Sequence, residues 1–589
     1  MSSISGLMSN FSKIFRCLIR TRVLIPVFFL LFNLFSQVVI GQENLPESCK
    51  VALDYLDQRG EVFFKIPRAD LRNINDLSKI ISIDHIDEDF VFAYASRKGF
   101  DAINARKFDF LVETPPSFKI KNSLQPGEFP GTWNSYPSWE EYVAFMNQLA
   151  SSFPDICMLD TIGLSVNNKV ILVLKISDQV SVNEPEPDFL YTSTIHGDET
   201  VGYVLLLRLA DWLLNRYGTD PRVTSMVNSL QIWINPLANP DATYFLGNDN
   251  VFGAKRFNIN DIDLNRNFPD PEDGPHPDGE EYQPETSAMM EFMKSRHFIL
   301  SANLHCGAEV VNYPWDTWAN FHADDEWYRF ISRQYADTSH LYNSLYMQDM
   351  VNGITNGFAW YTIAGGRQDW VNYFIHGREV TIELSHEKIP VPDTLPWFWE
   401  YNYRSLLNYM QQSIYGITGT VTDRNTGDPL KTKIEIPGHD ALNSYVWSDD
   451  ITGRFYRMLA AGLYDVQFTA YGYKDTVITI QVNDFSTTTV DVSLVPWSSG
   501  NILDFKPEIK VMNPFSSNLK ISIITGTPER ISMNLYDLGG RKALPDQTMT
   551  TSYGENTIFI DCASISNGLY ILKIISPSIS YETRVIRSE

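Results

Sequence analysis

One stretch, Asp188–Tyr217 (DFLYTSTIHGDETVGYVLLLRLADWLLNRY), constrains the fold more than any other. Its apolar, β-branched and aromatic opening, Phe189–Ile195, predicts a strand. Val201–Tyr217, apolar at helical spacing and stopped by Gly218, predicts a helix. At the junction stand His196, Gly197, Asp198 and Glu199. A His at a strand end and a Glu in the first helical turn can point at one centre. Neutral imidazole and carboxylate are both ligand types that Zn²⁺ accepts. By itself the pair reads equally as a surface His beside a Glu that complements the helix dipole.

The surrounding chain repeats the same alternation. Lys169–Ser177, Leu230–Pro236, Phe298–His305 and Val380–Leu384 are further short apolar runs, several of them separated by helix-length segments. That pattern predicts an α/β domain with a mixed, largely buried sheet flanked by helices. Upstream, Pro137 and Ser138 suit the start of a helix that ends before Pro154. Residues 43–118 form a small α+β unit, with strands at Glu61–Ile66 and Phe90–Ala95 and a helix at Leu71–Ile80. This unit reads either as a propeptide-like folding aid or as an accessory domain. After Gly416 the texture becomes short strands and turns. It predicts two small all-β sandwich domains, at residues 415–497 and 502–589. No nucleotide-binding loop, serine-hydrolase elbow or repeat array is present.

Three more features could join His196 and Glu199. His305 ends a predicted strand, and Glu383 lies near the end of another. Such strand ends face the crevice where α/β sheets bind ligands. Beside a metal, Glu383 becomes a candidate general base. Asp263-Leu264-Asn265-Arg266-Asn267 packs polar groups between apolar runs, and its Arg is suited to bidentate capture of a carboxylate.

Composition bears on address and partners. Acidic residues outnumber basic ones, 71 to 47, which argues against a nucleic-acid partner. Residues 1–42 contain no Asp or Glu, four basic residues and the apolar run Val23–Ile40. That is the pattern of a signal peptide and predicts export, to the cell surface or beyond it. A membrane anchor is the competing reading, weakened by Pro26, Asn33, Ser36 and Gln37. The cysteines make no CxxC, and their pairing is not readable. Oligomeric state is likewise open.

The blocks HGDE (His196–Glu199), NPDA (Asn239–Ala242), DLNRNFPD (Asp263–Asp270), QPET (Gln283–Thr286), NLHCGAEVVNYPWD (Asn303–Asp316), WYTIAGGRQDW (Trp360–Trp370) and TIELSHEKIP (Thr381–Pro390) stand in one order. In that order they resemble the zinc metallocarboxypeptidases, in particular the branch that includes carboxypeptidases N, E and D. The resemblance covers residues 127–414. It implies one Zn²⁺ held by His196, Glu199 and His305. It implies a terminal carboxylate bound by Asn265 and Arg266, an oxyanion held by Arg256, a cap from Tyr361, and Glu383 as base and then acid toward a zinc-bound water. Asp316, eleven residues after His305, and Gln368, seven after Tyr361, stand where that branch lines the pocket for the departing side chain. An acid with a neutral acceptor there implies a preference for C-terminal Lys or Arg on peptide or protein substrates. HGDE, HCG and GGRQDWVNY depart from the commoner HGNE, HGG and GGMQDxNY, without removing a reacting group.

Residues 415–497 resemble the transthyretin-like domain of the same branch. NPFSSNLKISI, YDLGGR and SNGLYILKI in the tail resemble the C-terminal sorting domain of the type IX secretion system, which would make that machinery a partner. Two competing readings share much of this evidence. One is a cell-wall peptide carboxypeptidase, with the same zinc set. The other is a non-enzymatic surface binding protein, against which the complete set of reacting residues argues.

Overall fold

The computed structural model describes residues 46–70, 74–120, 129–497, 507–525, 529–551 and 554–588. The expected signal peptide lies outside them. Among the described residues no helix is long and apolar enough to cross a membrane.

The first unit folds into four antiparallel strands, β1 (Glu61–Pro67), β2 (Ser82–Ile86), β3 (Phe90–Ser96) and β4 (Leu111–Val112), in the order β2-β3-β1-β4. Helices Glu47–Arg59 and Arg97–Ala105 pack on it around Leu56, Val62, Phe64, Ile83 and Phe100. The helix expected over Leu71–Ile80 is shorter, Ile74–Ser78, and residues 71–73 lie outside the described set.

The central sheet has eight strands: β5 (Cys157–Leu164), β6 (Val170–Ile176), β7 (Asp188–Ser193), β8 (Gln231–Asn235), β9 (Phe298–His305), β10 (Glu309–Tyr313), β11 (Ile354–Asn356) and β12 (Arg378–Leu384). Their order is β11-β10-β12-β9-β7-β8-β6-β5. β12, β9, β7 and β8 run parallel at its centre; β5 and β6 pair antiparallel with their neighbours, and β10 pairs antiparallel with β12 and parallel with β11. The sheet is therefore mixed, as the alternation predicts. Both faces are covered. Phe189, Tyr191, Ile232 and Ile234 point into one apolar layer, with the helices Val201–Arg216 and Leu395–Gln411. Leu190 and Trp233, one residue out of phase, point into the other with Met289, Phe292 and Trp370. The helix Trp139–Ser152 starts with a capping box: Glu141 N–H donates to Ser138 Oγ at 3.2 Å, and the Glu141 carboxylate accepts from Ser138 N–H at 2.7 Å.

Two sandwiches follow. The first faces a sheet of Arg454–Arg457, Gly416–Asp423, Thr487–Thr489 and Val492–Leu494 against one of Val446–Trp447, Lys433–Glu435, Gly462–Thr469 and Thr476–Val482. Its alternating inward residues, including Val421, Phe455, Phe468 and Val482, make one core. The second has its own core around Leu519, Ile521, Leu572 and Val585.

A buried ion network ties the first sandwich to the central sheet. Arg457 donates to both oxygens of Asp324, at 2.6 and 2.9 Å, and to Asp440 at 2.6 Å. Arg378, at the start of β12, donates to the same Asp324 at 2.9 Å. Burial opposes the Asp324 charge, but the two guanidiniums outweigh it and hold its carboxyl far below the usual range. Asp324→Ala leaves the buried Arg378 without a carboxylate and Arg457 with Asp440 alone, and should cost about 3–5 kcal/mol. Denaturant unfolding of the purified protein measures this; a loss under about 1 kcal/mol would mean the network is not a structural tie.

Candidate active site

The central parallel strands end side by side, and their ends carry the chemistry. His305 is the last residue of β9, and Glu383 lies opposite it in register on the neighbouring β12. β7, on the other side of β9, ends at Ser193. Thr194 then turns with φ +60° and redirects the chain, so His196–Glu199 form a tight turn. The sequence reading placed Glu199 in the first helical turn. It stands two residues before the helix, which begins at Val201, and its N–H donates to His196 O at 3.1 Å.

The turn and the strand end converge. His196 Nδ1 lies 3.0 Å from Glu199 Oε1, and His305 Nδ1 lies 2.8 Å from Glu199 Oε2. The three residues can offer ligand atoms within 4.8 Å of one another, and all three are buried. A tetrahedral zinc with bonds of ~2.0–2.2 Å needs donors roughly 3.3 Å apart, so the set fits such an ion. The outer nitrogens fit too: His196 Nε2 lies 3.0 Å from Asp263 Oδ1, and His305 Nε2 lies 2.7 Å from the Asn303 amide. A carboxylate behind a ligating imidazole orients the ring and raises its basicity. Cys306 stays outside the set; its N–H donates to Glu199 Oε2 at 3.1 Å, and burial, then Glu199, pushes its thiol up. It is free, as are Cys49, Cys157 and Cys562.

Glu199 also draws two cations. Arg256 Nη1 donates to Oε1 at 2.7 Å and Lys388 Nζ at 2.6 Å. Lys388 lies within the TIELSHEKIP block but had no expected role. Arg256 Nε donates to Ser82 Oγ at 2.7 Å, and Ser82 donates to Asp263 Oδ2 at 2.5 Å. Lys388 also pairs with Asp84 at 2.6 Å. Burial works against the Asp84 charge, yet Lys388 and His85 bring its carboxyl down to about 2. Ser82 and Asp84 belong to β2, so the N-terminal unit reaches into the centre. Its Tyr94 hydroxyl donates to Asp198 at 2.8 Å, and its Glu61 accepts the N–H groups of Arg256 and Phe257.

The remaining expected residues surround a cavity of about 30 Å³, room for roughly two waters. Ile83, Asp84, His196, Glu199, Arg256, Asn265, Arg266, His305, Asp316, Tyr361 and Glu383 are among its lining. Burial, then repulsion by Glu199, raises the Glu383 carboxyl well above its usual value. Asn265 Oδ1 accepts from Arg367 N–H at 3.0 Å. Arg266 spends Nη1 on Asn265 O at 2.8 Å, while its buried Nε and Nη2 have no partner. Asp316 Oδ1 accepts from Asn312 Nδ2 at 2.9 Å and Gln368 Nε2 at 3.2 Å. Gln368 does not line the cavity, because its oxygen accepts from Thr381 N–H at 2.8 Å. The free acceptor beside Asp316 is instead the buried Asn312 Oδ1, a residue the sequence reading passed over.

Comparison with known proteins bears on this arrangement. A family profile for zinc carboxypeptidases matches residues 142–405, and one for secretion system C-terminal sorting domains matches residues 513–588. Carboxypeptidase D of Mus musculus is 36% identical over 389 residues, covering 63% of this chain and 27% of that protein. The chain thus spans about a quarter of that relative's length. Carboxypeptidase SOL1 of Arabidopsis thaliana is 37% identical over 353 residues, covering 58% of this chain and 69% of that protein. The crystal structure of carboxypeptidase A from Helicoverpa armigera aligns with 60% of this chain and 98% of its own, at 16% identity and a TM-score of 0.47.

The donor set predicts about one tightly bound divalent metal per chain. His305→Ala should abolish stoichiometric binding, and Asp263→Ala should weaken it by about 10–100-fold. Metal content after dialysis against a graded chelator measures both. Wild-type content in His305→Ala would exclude that residue as a ligand.

Proposed function

The chain belongs to the zinc carboxypeptidase family, and from that premise we propose a secreted, zinc-dependent exopeptidase that releases single C-terminal residues, preferring Lys or Arg. The sorting domain at residues 513–588 implies export to the cell surface or beyond, which would make the secretion machinery a partner. The observation that carries the peptidase reading is Arg266. A buried guanidinium with Nε and Nη2 unpaired, lining the same cavity as the His-Glu-His set and Glu383, is a preformed receptor for one carboxylate. A terminal carboxylate seated there marks the chain end and sets the distance to the scissile bond.

Zinc held by His196, Glu199 and His305 would supply Lewis acidity, lowering the pKa of a bound water and polarising a carbonyl. Glu383, lining the same cavity, takes the proton from the attacking water and returns it to the leaving amine. Arg256 donates to the carbonyl oxygen as it gains charge. Asn265 helps Arg266 hold the terminal carboxylate, and Tyr361 closes over the bound residue. In the pocket for the departing side chain, Asp316 and the free Asn312 Oδ1 are acceptors for a cationic group. Gln368 orients Asp316 rather than touching the ligand.

The N-terminal unit supports a propeptide-like role. Ile83 and Asp84 line the cavity, and Tyr361 packs in the unit's own apolar core with Ile81 and Ile83. The remaining space holds no amino-acid residue. A protease site inserted between Phe118 and Pro130, then cut, should raise kcat/KM at least tenfold once the unit is washed away. Equal activity before and after removal would make the unit an integral wall of the site.

The decisive assay is hydrolysis of peptides differing only in the last residue, with and without chelator. C-terminal Arg and Lys should be released fastest, and chelation should stop all release. Glu383→Gln should keep the metal and lose about 10²–10⁴-fold in kcat. Full activity in that variant would place the base elsewhere, and equal rates for Arg and Leu would remove the basic pocket while leaving the peptidase.

A further inference from the structure

Asp369 is buried in the first turn of the helix Arg367–Phe374, directly after Gln368. Its carboxylate lies against the backbone of the pocket acid. Asp316 N–H is 3.1 Å from each Asp369 oxygen, and Thr317 N–H donates to Oδ2 at 2.8 Å. Consecutive residues thus grip Asp316 at both ends, Gln368 by its side chain and Asp369 by its main chain. The opposite wall is equally close. A Cβ at Gly357 would stand 1.7 Å from Asp316 Oδ1, so only glycine leaves the carboxylate room there.

A third acid completes the group. Asp270 accepts Gly365 N–H at 3.0 Å and lies 3.4 Å from Thr317 Oγ1. Burial raises Asp270, Asp316 and Asp369 alike, Asp316 to about 6; repulsion by Asp270 adds to it at Asp316, and repulsion by Asp316 and Asp270 adds to it at Asp369. Both Asp369 oxygens accept N–H groups, from Asp316 and Thr317, contacts that favour its charged form while burial and its acidic neighbours oppose it. The nearby Arg266 is the anchor for the substrate's own carboxylate, which would neutralise it. Negative charge on this pocket floor is therefore poorly compensated by the protein itself, and the group that best relieves it is a cation on the departing residue.

We propose that Asp369 is a positioning residue for Asp316 and, together with Asp270, supplies the negative potential by which the pocket selects a cationic C-terminal side chain. This rests on the carboxypeptidase reading above. It extends selectivity to two acids that do not line the cavity.

Two variants separate charge from geometry. In Asp369→Asn the amide oxygen can occupy the Oδ2 position and keep both N–H contacts while the charge is lost. In Asp369→Ala both are lost. The measurement is kcat and KM for matched peptides ending in Arg and in Leu, with metal content and melting temperature taken on each protein. Asp369→Asn should lower the Arg-to-Leu ratio of kcat/KM by about tenfold, mainly through KM for Arg. Asp369→Ala should lower it by about 30-fold or more, in the range seen when a buried charge contact at a binding site is broken. A parallel loss on both peptides would overturn the proposal and reduce Asp369 to a fold contact. An unchanged ratio in Asp369→Asn would overturn the electrostatic half. Should Asp369→Ala fail to fold, Asp369→Asn alone decides. Wild-type enzyme without an Arg preference defeats the basic pocket and this proposal together. Wild-type enzyme with the preference, but with variants that keep it, defeats the proposal only.

Discussion

Glu199 is buried with both carboxylate oxygens engaged, by His196, His305, Arg256, Lys388 and the Cys306 N–H. The rest of the centre is arranged around neutralising that charge. Asp84, Asp198 and Asp263 are buried within the same group, and Arg256 and Lys388 answer them. Burying so many ions is tolerable only when each has its partners in place, since removing one member leaves another unpaired in low dielectric, at about 3–5 kcal/mol. Burial favours the uncharged forms, yet the acids hold Arg256 and Lys388 charged well above their ordinary range. The network therefore fixes the relative positions of the β7 turn, the 256–263 loop, the segment after β12 and the N-terminal unit. A candidate metal set assembled from a turn and a separate strand end needs that rigidity.

Much of this was legible along the chain because the chemistry comes in contiguous blocks at the ends of apolar runs. Phe298–His305 needed only strand periodicity, and the strand lies where that periodicity puts it, with His305 at its end. Glu199 was misplaced by two residues because the redirecting turn at Thr194 has no glycine to announce it. Charge partners were the harder part. Lys388 sits in a block whose neighbours were assigned roles, yet its partner Asp84 lies in a different unit some three hundred residues earlier. Pattern along a sequence carries no information about such a pair. Gln368 shows the same limit: its type suits an acceptor for substrate, but only the fold reveals that Thr381 N–H already uses the oxygen.

The two arginines of the cleft, ten residues apart, show how surroundings divide labour between identical side chains. Arg256 is engaged through Nε with Ser82 and through Nη1 with Glu199. Arg266 keeps two nitrogens unpaired in a buried place. A planar guanidinium fixed in advance loses little freedom when a carboxylate arrives, which favours tight, oriented binding. Arg266 therefore offers two free nitrogens with the N-terminal unit in position, whereas Arg256 has Nε and Nη1 committed. Its Nε bond goes to a residue of that unit, so the donor proposed for the developing oxyanion is held by the same strand that lines the cavity with Ile83 and Asp84. Departure of the unit would open the cavity and free one nitrogen of that donor in a single event, which would tie access for substrate to release of the group proposed to stabilise its transition state.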